Sequence, residues 1–338
     1  MGQGFAIVLT ADRTLTAGHR ILFDGMLAAN QTTTSPVDLL SPLLMPRARC
    51  DGVRASVAPL GLRRIEAALL KGGFSEEEVV VVDDAHLHHA IGQATRIVGI
   101  CSGEPAGLGM NTSTMTAVAG GMIWPQAMFN RLLRQIGRCC AKAGVKPRMV
   151  LGGPGAWQLA KDEERRLKLG IDHVVLGYAE DNAAAIFRSI LAGGGQAVSV
   201  GAWQPGSLVV PIRGASGMGA VEISRGCGWG CEFCTIARTG MAHVPARTIL
   251  ADIRTNVAAG VRNIAVISED FFRYGATGAR PDPAALLALL EEISLVPELG
   301  LLQIDHANIA TVAQFSDEQL QRVHQLLVRD LPHRYLWV

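Results

Sequence analysis

At 338 residues the chain is long enough for two domains, each with a core of its own. Hydrophobic residues make up 49% and charged residues 18%, which excludes a disordered chain, and 31 basic against 30 acidic residues leave no global field to recruit nucleic acid or an anionic membrane. No apolar run reaches the roughly 20 residues of a membrane span, the start Met1 to Phe5 lacks the layout of a signal peptide, and seven cysteines, an odd number, suit a reducing compartment, so a soluble cytoplasmic protein is expected.

In chain order, residues 1–50 read as an N-terminal extension. Phe5 to Thr10 is strand-like and Gln31 to Pro36 is a loop, with no chemistry in either. An alternation then begins. Val53 to Val57 reads as a short strand and Gly61 to Leu70 as a helix ending at Gly72-Gly73. Val79 to Val82 is a β-branched run of the kind buried on both faces, and Thr95 to Cys101 is another strand. A helix over Pro125 to Ala143 stops at Gly144. Arg148 to Leu151 is a strand running into Gly152-Gly153-Pro154-Gly155, and a helix follows near 156–169. His173 to Leu176 reads as the last strand and Asp181 to Ala192 as its helix. Strands and helices alternating at this period imply an α/β fold, a doubly wound parallel sheet at 51–195.

Residues 196–220 read as a linker, with a hairpin over Ser199 to Ile212. A second alternation occupies 221–338: strand Val221 to Ser224, helix Thr248 to Ala259, strand Asn263 to Ile267, helix Pro283 to Ile293, strand Leu301 to His306 and a helix near 316–328. Tyr335 to Val338 reads as the start of a fourth strand. Three and a half strand–helix units leave an open edge of unpaired backbone groups, so the expectation is a truncated product, or a unit completed by a second chain or a missing C-terminal segment.

Ligands of open α/β sheets lie at the carboxyl ends of the strands. Here those ends read Cys101-Ser102-Gly103, Gly152-Gly153-Pro154-Gly155 and Gly177-Tyr178-Ala179-Glu180, which leaves room for a backbone to approach a ligand closely. The alternative is that these glycines only make turns. In the second alternation the same logic brings the loop after Ser224, Glu269 with Asp270, and Asp305 with His306 to one rim.

The densest chemistry is Arg225-Gly226-Cys227-Gly228-Trp229-Gly230-Cys231-Glu232-Phe233-Cys234, three cysteines spaced C-x3-C-x2-C and interleaved with glycine. Thiolates at this density read as metal ligands. Three of them on a cluster of four irons leave one iron open to a small molecule. The alternatives are a zinc knuckle closed by His243, and an inert trio of cysteines.

This loop resembles the signature of the radical S-adenosylmethionine (radical SAM) enzymes, in which an aromatic residue, here Phe233, precedes the last cysteine. The strand-like Val221 to Ser224 before it and Thr235 to Arg238 after it also suit that family. A Rossmann-type sheet before such a loop, with Gly-Gly-Pro and Gly-Tyr-Ala-Glu turns, is similar to the cobalamin-binding radical SAM proteins, over about residues 51–338. The resemblance implies a Rossmann-like cobalamin-binding domain followed by a partial radical SAM barrel. It also implies a 4Fe-4S cluster on Cys227, Cys231 and Cys234, with Phe233 beside bound S-adenosylmethionine and Glu269 holding its amino group. Ser102, Gly103, Gly152, Gly153, Pro154, Gly177 and Glu180 would line the cobalamin. An external one-electron reductant would drive the cleavage of S-adenosylmethionine to methionine and a 5′-deoxyadenosyl radical. That radical takes a hydrogen from a small-molecule or peptide substrate, and methylcobalamin then methylates an unactivated carbon. Ring formation or methylthiolation without cobalamin is the alternative reaction, and a non-catalytic metal-binding fragment is the alternative class.

One motif departs from the family. The Asp-x-His-x-x-Gly element that carries a histidine to cobalt begins at Asp84-Ala85-His86, but His89 stands where glycine should. Ahead of Gly92, Leu87 stands where Asp should. His86, His88 and His89 are therefore read as solvated loop residues with no orienting carboxylate in register, which implies a corrin held without a histidine. Cys101 is read as a small core residue, and Cys139 and Cys140 as structural residues on a helix. Asp270 is read as a cap of the segment after it. Asp305 and His306 are read either as substrate-facing or as plain surface.

Overall fold

The computed structural model describes residues 2–48, 50–232, 234 and 239–329. The chain divides into two compact units, Met1–Trp203 and Gln204–Val338.

The first unit is built on a six-stranded sheet: β1 (Ile7–Ala11), β2 (Val79–Val81), β3 (Ile97–Cys101), β4 (Arg148–Gly152), β5 (His173–Leu176) and β6 (Val198–Val200). The spatial order is β2-β1-β3-β4-β5-β6 and every neighbouring pair is parallel. The three strands β1, β2 and β3 are buried along their whole length, because side chains alternate between two covered faces. On one face Ile7, Leu9, Val79, Val81 and Ile97 pack with Leu62 and Leu69 of helix α1 (Leu60–Lys71), and with Phe187 and Ile190 of a helix over Ala183–Leu191. On the other, Val8, Val80, Val98, Ile100 and Leu151 pack with Phe129, Leu132 and Ile136 of α2 (Trp124–Ala143). The ends of α2 are those its sequence dictates: Pro125 sits in the first turn, where no donor is lost, and Gly144 stops the helix in a left-handed conformation, φ 68°.

Four sequence expectations need correction. Residues 1–50 are not an extension outside the sheet, because β1 lies between β2 and β3. It was hidden because the next strand of the sheet begins only at Val79 and no long helix follows β1 directly. Residues 196–220 are not a linker throughout: Val198–Val200 adds a parallel edge strand to β5, so the hairpin over Ser199 to Ile212 does not form. Val53 to Val57 is not one strand of the six-stranded sheet: it holds the short strand Arg54–Ala55 and the start of another, Val57–Ala58. Arg54–Ala55 pairs antiparallel with Cys50–Asp51 around Gly52, whose φ of 61° suits a residue without a side chain. The helix expected near 156–169 is two short ones, Trp157–Ala160 and Glu163–Lys168, the second capped by Asp162.

The second unit has a three-stranded parallel sheet, β7 (Ala220–Glu222), β8 (Asn263–Ile267) and β9 (Leu301–Ile304), in that spatial order. Helices over Ala246–Ala258, Pro283–Ser294 and Asp317–His324 follow the strands in turn. Asp282 caps the second of these, and Ser316 with Gln319 forms a capping box on the third. Buried Asp252 and Asn256 on the first accept hydrogen bonds from the backbone N–H groups of Ile212 and Ser216, which fixes the entry of the chain into the sheet. The strand expected over Tyr335 to Val338 lies outside the described residues.

Since β1 is central, Leu9→Ala should destabilise the first unit by about 2–5 kcal/mol in urea unfolding. Removal of residues 2–50 should abolish its cooperative transition, whereas a dispensable extension would leave it intact.

Candidate functional site

The cysteine loop of the second unit is pinned at its base. Ser224 and Arg225 pair antiparallel with His243 and Ala242, so the chain between them leaves and returns at one point. Gly226, Gly228 and Gly230 have φ of 75°, 73° and 73°, a region closed to most side chains. A Cβ on Gly226 would stand 2.6 Å from the Gly240 oxygen, so the two arms of the loop touch backbone to backbone. The Cys227 N–H donates to the Thr239 carbonyl at 3.0 Å, and the Cys234 N–H to the Cys231 carbonyl at 3.1 Å. Arg273 comes from the segment after β8. Its guanidinium donates to the carbonyls of Cys227 and Gly278, each at 2.6 Å, and lies 4.8 Å from the Trp229 ring centre, within cation–π range. No local pattern signals this contact, because Arg273 lies 46 residues from Cys227.

Cys227 and Cys234 are half-buried and Cys231 is exposed. Burial raises the Cys227 thiol and Arg273 opposes the rise, while Glu269 and Asp270 lie close enough to reinforce it. The end of β8 and the cysteine loop therefore occupy one place. Glu269 is exposed there. Asp270 is buried and does not cap the segment after it. Its carboxylate accepts from the Thr311 hydroxyl at 2.6 Å and the Asn308 N–H at 3.3 Å, which ties the end of β8 to the loop after β9. Asp305 and His306 pair with each other at 3.1 Å, with the histidine largely in solvent. His243 lies in the hairpin at the base of the loop, with Nε2 3.0 Å from the Ala276 carbonyl oxygen, so that nitrogen is already engaged. Phe233 and Thr235 to Arg238 lie outside the described residues.

In the first unit the strand order reverses between β1 and β3, the point at which open α/β sheets make their binding crevice. Gly153 (φ 91°) and Gly155 lie directly on the end of β3. Cβ atoms there would stand 2.6 Å from Cys101 Sγ and 2.1 Å from the Gly103 oxygen. The Ser102 N–H donates to Gly152 and the Gly155 N–H to Ser102, so Ser102, Gly103, Gly152, Gly153 and Pro154 form one rim. Gly177 (φ 72°) opens the turn after β5, where Tyr178 meets Trp203 edge to face at 5.5 Å, and half-buried Glu180 closes that turn.

Two residues at this crevice were missed by the sequence reading, Thr10 and Asp12 at the end of β1. Ser102, Thr10 and Asp12 are all 0% exposed, and Ser102 Oγ, Thr10 Oγ1 and Asp12 Oδ2 have no hydrogen-bond partner among the described residues. Buried polar atoms of this kind are rare unless a ligand or water satisfies them. The missed signal was a pair of polar residues closing the apolar run Ile7-Val8-Leu9. Asp12 Oδ1 accepts from the Thr14 N–H at 2.9 Å and from its hydroxyl. Cys101 is a core residue of β3, its thiol pushed up to about 12 by burial. Cys139 and Cys140 pack against the core from α2.

The histidine reading is corrected in one respect. His88 and His89 are exposed, but His86 has an orienting carboxylate after all, since its Nδ1 lies 2.6 Å from Asp83 Oδ1. The carboxylate stands three residues before the histidine, not after it as in the family motif.

No protein-family model matches the chain. Among solved structures it is similar to the radical S-adenosylmethionine methyltransferase TsrM from Kitasatospora setae. With tryptophan substrate and an S-adenosylmethionine analogue bound to TsrM, the TM-score is 0.55 at 15% identity, over 95% of this chain and 57% of that one. With cobalamin and a 4Fe-4S cluster bound to TsrM, the TM-score is 0.53 at 14% identity, over 95% and 59%. The chain shares that fold. In this chain that fold comprises a Rossmann-like, six-stranded parallel sheet in the first unit and a three-stranded parallel sheet with its helices in the second. In sequence, ribosomal protein uS12 methylthiotransferase RimO from Cereibacter sphaeroides is 37% identical over 75 residues, 22% of this chain and 16% of that protein. RimO from Nitratidesulfovibrio vulgaris is 37% identical over 87 residues, 25% of this chain and 20% of that protein. The chain thus matches no more than a fifth of the length of these curated relatives. No helix among the described residues is long and apolar enough to cross a membrane.

Burial raises the Asp12 carboxyl from 3.8 to about 6 against the pull of its Thr14 hydrogen bonds, with nearby Asp84 adding to the rise. The folded state therefore holds this proton more tightly than the unfolded one. The stability this confers is complete below the unfolded value and is lost as pH rises from about 4 to about 6, leaving a penalty on the order of 3 kcal/mol above that window. Asp12→Asn keeps an oxygen for Thr14 and removes the charge. It should be more stable than the natural chain at pH 7, with the gap closing below about pH 4, in urea unfolding across that pH range. A gap that does not change with pH would show that the charge is not its source.

Proposed function

We propose that the chain is a radical SAM enzyme that binds a 4Fe-4S cluster through Cys227, Cys231 and Cys234 and cobalamin at the β1/β3 crevice, and that it methylates an unactivated carbon. The observation that carries the reading is the three-thiolate loop at the strand-to-helix turn of β7, pinned at its base and held by Arg273. Three thiolates without a fourth leave a metal position open, which suits a cluster that binds a substrate and not one that only carries electrons. The shared fold with a methyltransferase supports the same reading.

The cofactors fit what the chain offers. Alternate glycines let the backbone wrap the sulfurs, and Arg273 anchors the first ligand from behind by its carbonyl. Glu269, exposed beside the loop, would take the amino group of S-adenosylmethionine. The glycine rim of Gly103, Gly152, Gly153 and Gly177 would admit the edge of a large ring, with Pro154 and Glu180 beside it. Thr10, Asp12 and Ser102 would meet its amide side chains with their unpaired oxygens. When bound, the reduced cluster supplies the electron that cleaves S-adenosylmethionine, and cobalamin supplies a transferable methyl group. An external one-electron donor must reduce the cluster. The residues' own tasks are to bind, to orient and to keep water from the site.

A second reading, methylthiolation, is favoured by the similarity to RimO. It would call for further cysteines gathered in the first unit to hold a second cluster. Cys101 lies inside β3, Cys139 and Cys140 lie on α2, and Cys50 is bonded to Asp83. No such set exists among the described residues.

The test is anaerobic reconstitution. About four irons per chain are expected, with hydroxocobalamin retained on dialysis and 5′-deoxyadenosine released from S-adenosylmethionine on reduction. Ala at Cys227, Cys231 or Cys234 should remove the iron and leave the cobalamin. About eight irons without cobalamin would establish the second reading instead, and stoichiometric zinc requiring His243 would refute both.

Arg273 gives a further check. Arg273→Ala should quicken loss of the loop's iron to a chelator by about 10-fold or more. Lys should restore little, because an ammonium cannot span two carbonyls as the planar fork does.

A further inference from the structure

A second metal-binding arrangement lies in the first unit, outside the residues assigned above and independent of them. We propose that Cys50, Asp83 and His86 bind one divalent metal ion, of the zinc class, with water as the fourth ligand.

The three residues come from segments far apart in the chain. Cys50 begins the small hairpin that closes around Gly52, and Asp83 follows β2. His86 ends the short turn that Asp83 caps through its N–H. The hairpin is held against β2 by Arg54, which donates to the Val79 carbonyl at 3.2 Å. One ligand atom from each residue lies within 4.8 Å of the other two, and no other such trio of Cys, His, Asp or Glu occurs among the described residues.

The spacing suits a tetrahedral ion. Bonds of about 2.0–2.3 Å to oxygen, nitrogen and sulfur place neighbouring ligand atoms roughly 3.3–3.6 Å apart. Cys50 Sγ stands 3.3 Å from Asp83 Oδ2, at the edge of that range. His86 Nδ1 is 2.6 Å from the other carboxylate oxygen, Oδ1, in a hydrogen bond that the ion replaces by a small rotation of the ring. Asp83 Oδ2, Cys50 Sγ and His86 Nδ1 then form the ligand set. Asp83 Oδ1 keeps the His86 N–H at 3.0 Å, a bond that orients the carboxylate from outside the ligand set.

Charge and access also suit the ion. The Asp83 side chain is 7% exposed and the His86 side chain 32%, so the position is walled on one side and open to water on the other. Binding releases the Cys50 thiol proton to solvent, and the His86 proton passes through water from Nδ1 to Nε2, which leaves Nδ1 free to ligate. The thiolate and the Asp83 carboxylate then balance the two charges of the ion, and neutral His86 adds a lone pair. One sulfur, one nitrogen and one carboxylate oxygen select zinc over calcium or magnesium, which take oxygen alone. The ion would clasp the hairpin to the end of β2, closing a loop of 33 residues between Cys50 and Asp83.

The test uses the full chain with Cys227, Cys231 and Cys234 all replaced by Ala, so that the loop thiols cannot bind the probe. Anaerobic titration with cobalt(II) should give one equivalent bound, with the visible bands of a tetrahedral site and a near-ultraviolet thiolate-to-cobalt band, both displaced by zinc. Cys50→Ser retains a hydroxyl for Asp83 but is a poor ligand. It should lose the thiolate band, weaken binding at least about 10-fold, and leave metal-free unfolding unchanged. His86→Asn should also lose the tetrahedral bands. Absence of one-to-one binding, or a thiolate band that survives Cys50→Ser, overturns the proposal. Should the triple variant not fold, elemental analysis of the cluster-loaded natural chain decides. One zinc beside the irons, lost in Cys50→Ser, supports the site, and its absence refutes it.

Discussion

The first unit depends on one strand being buried on both sides. Val8 faces one core, Ile7 and Leu9 face the other, and none is more than 1% exposed. A strand in that position must have a neighbour on each edge, since its backbone groups cannot reach water. With β2 on one edge and β3 on the other, the chain winds outward in opposite directions from β1, and α1 and α2 fall on opposite faces of the sheet. The gap between diverging connections opens at the carboxyl ends of β1 and β3. The crevice with Thr10, Asp12 and Ser102 is thus a consequence of where the most apolar strand must sit.

The second unit solves a different problem. Three thiolates brought close together repel one another, and no hydrophobic core can be built from them. The loop is instead fixed from outside, by backbone pairing at its base and by one arginine that holds the Cys227 carbonyl while its plane covers Trp229. Guanidinium serves both purposes, since it is flat, charged and rich in donors. Asp270 does similar work nearby: buried, it bonds Thr311 and Asn308 and so sets the path of the chain that leaves the exposed Glu269.

Legibility in the sequence followed how local each signal was. The β-branched run Val79 to Val82, the helix bounded by Pro125 and Gly144, and the C-x3-C-x2-C loop were readable because each is encoded in consecutive residues. The place of β1 was not, because its neighbours in space begin 72 and 90 residues later in register. The edge strand at Val198–Val200 was lost for a related reason. Only three residues long and with none of them buried, it is a strand by virtue of β5 beside it. The site followed the same rule. The glycine turns showed themselves, whereas Asp12 and Arg273 gain their meaning from partners that the fold supplies.

The two candidate sites also differ in what they ask of the fold before any ligand arrives. At the crevice the framework is already built. Gly153 and Gly155 are in place, and three buried oxygens lack partners among the described residues at a cost of about 1–3 kcal/mol each. The surrounding core has to sustain that cost in the free protein, which it can do because the orphans lie at the ends of strands buried along their full length. A ligand that satisfies those atoms recovers the energy, so binding there adds to stability by mass action. At the cysteine loop little is stored in advance: Cys231 is in solvent and the glycines keep the backbone adaptable. There a bound metal would itself have to organise the ligands, and the work of the protein is confined to the base of the loop and to Arg273. A rigid crevice suits a large cofactor whose shape must be matched, and an adaptable loop suits a compact cluster whose own bonds impose the geometry.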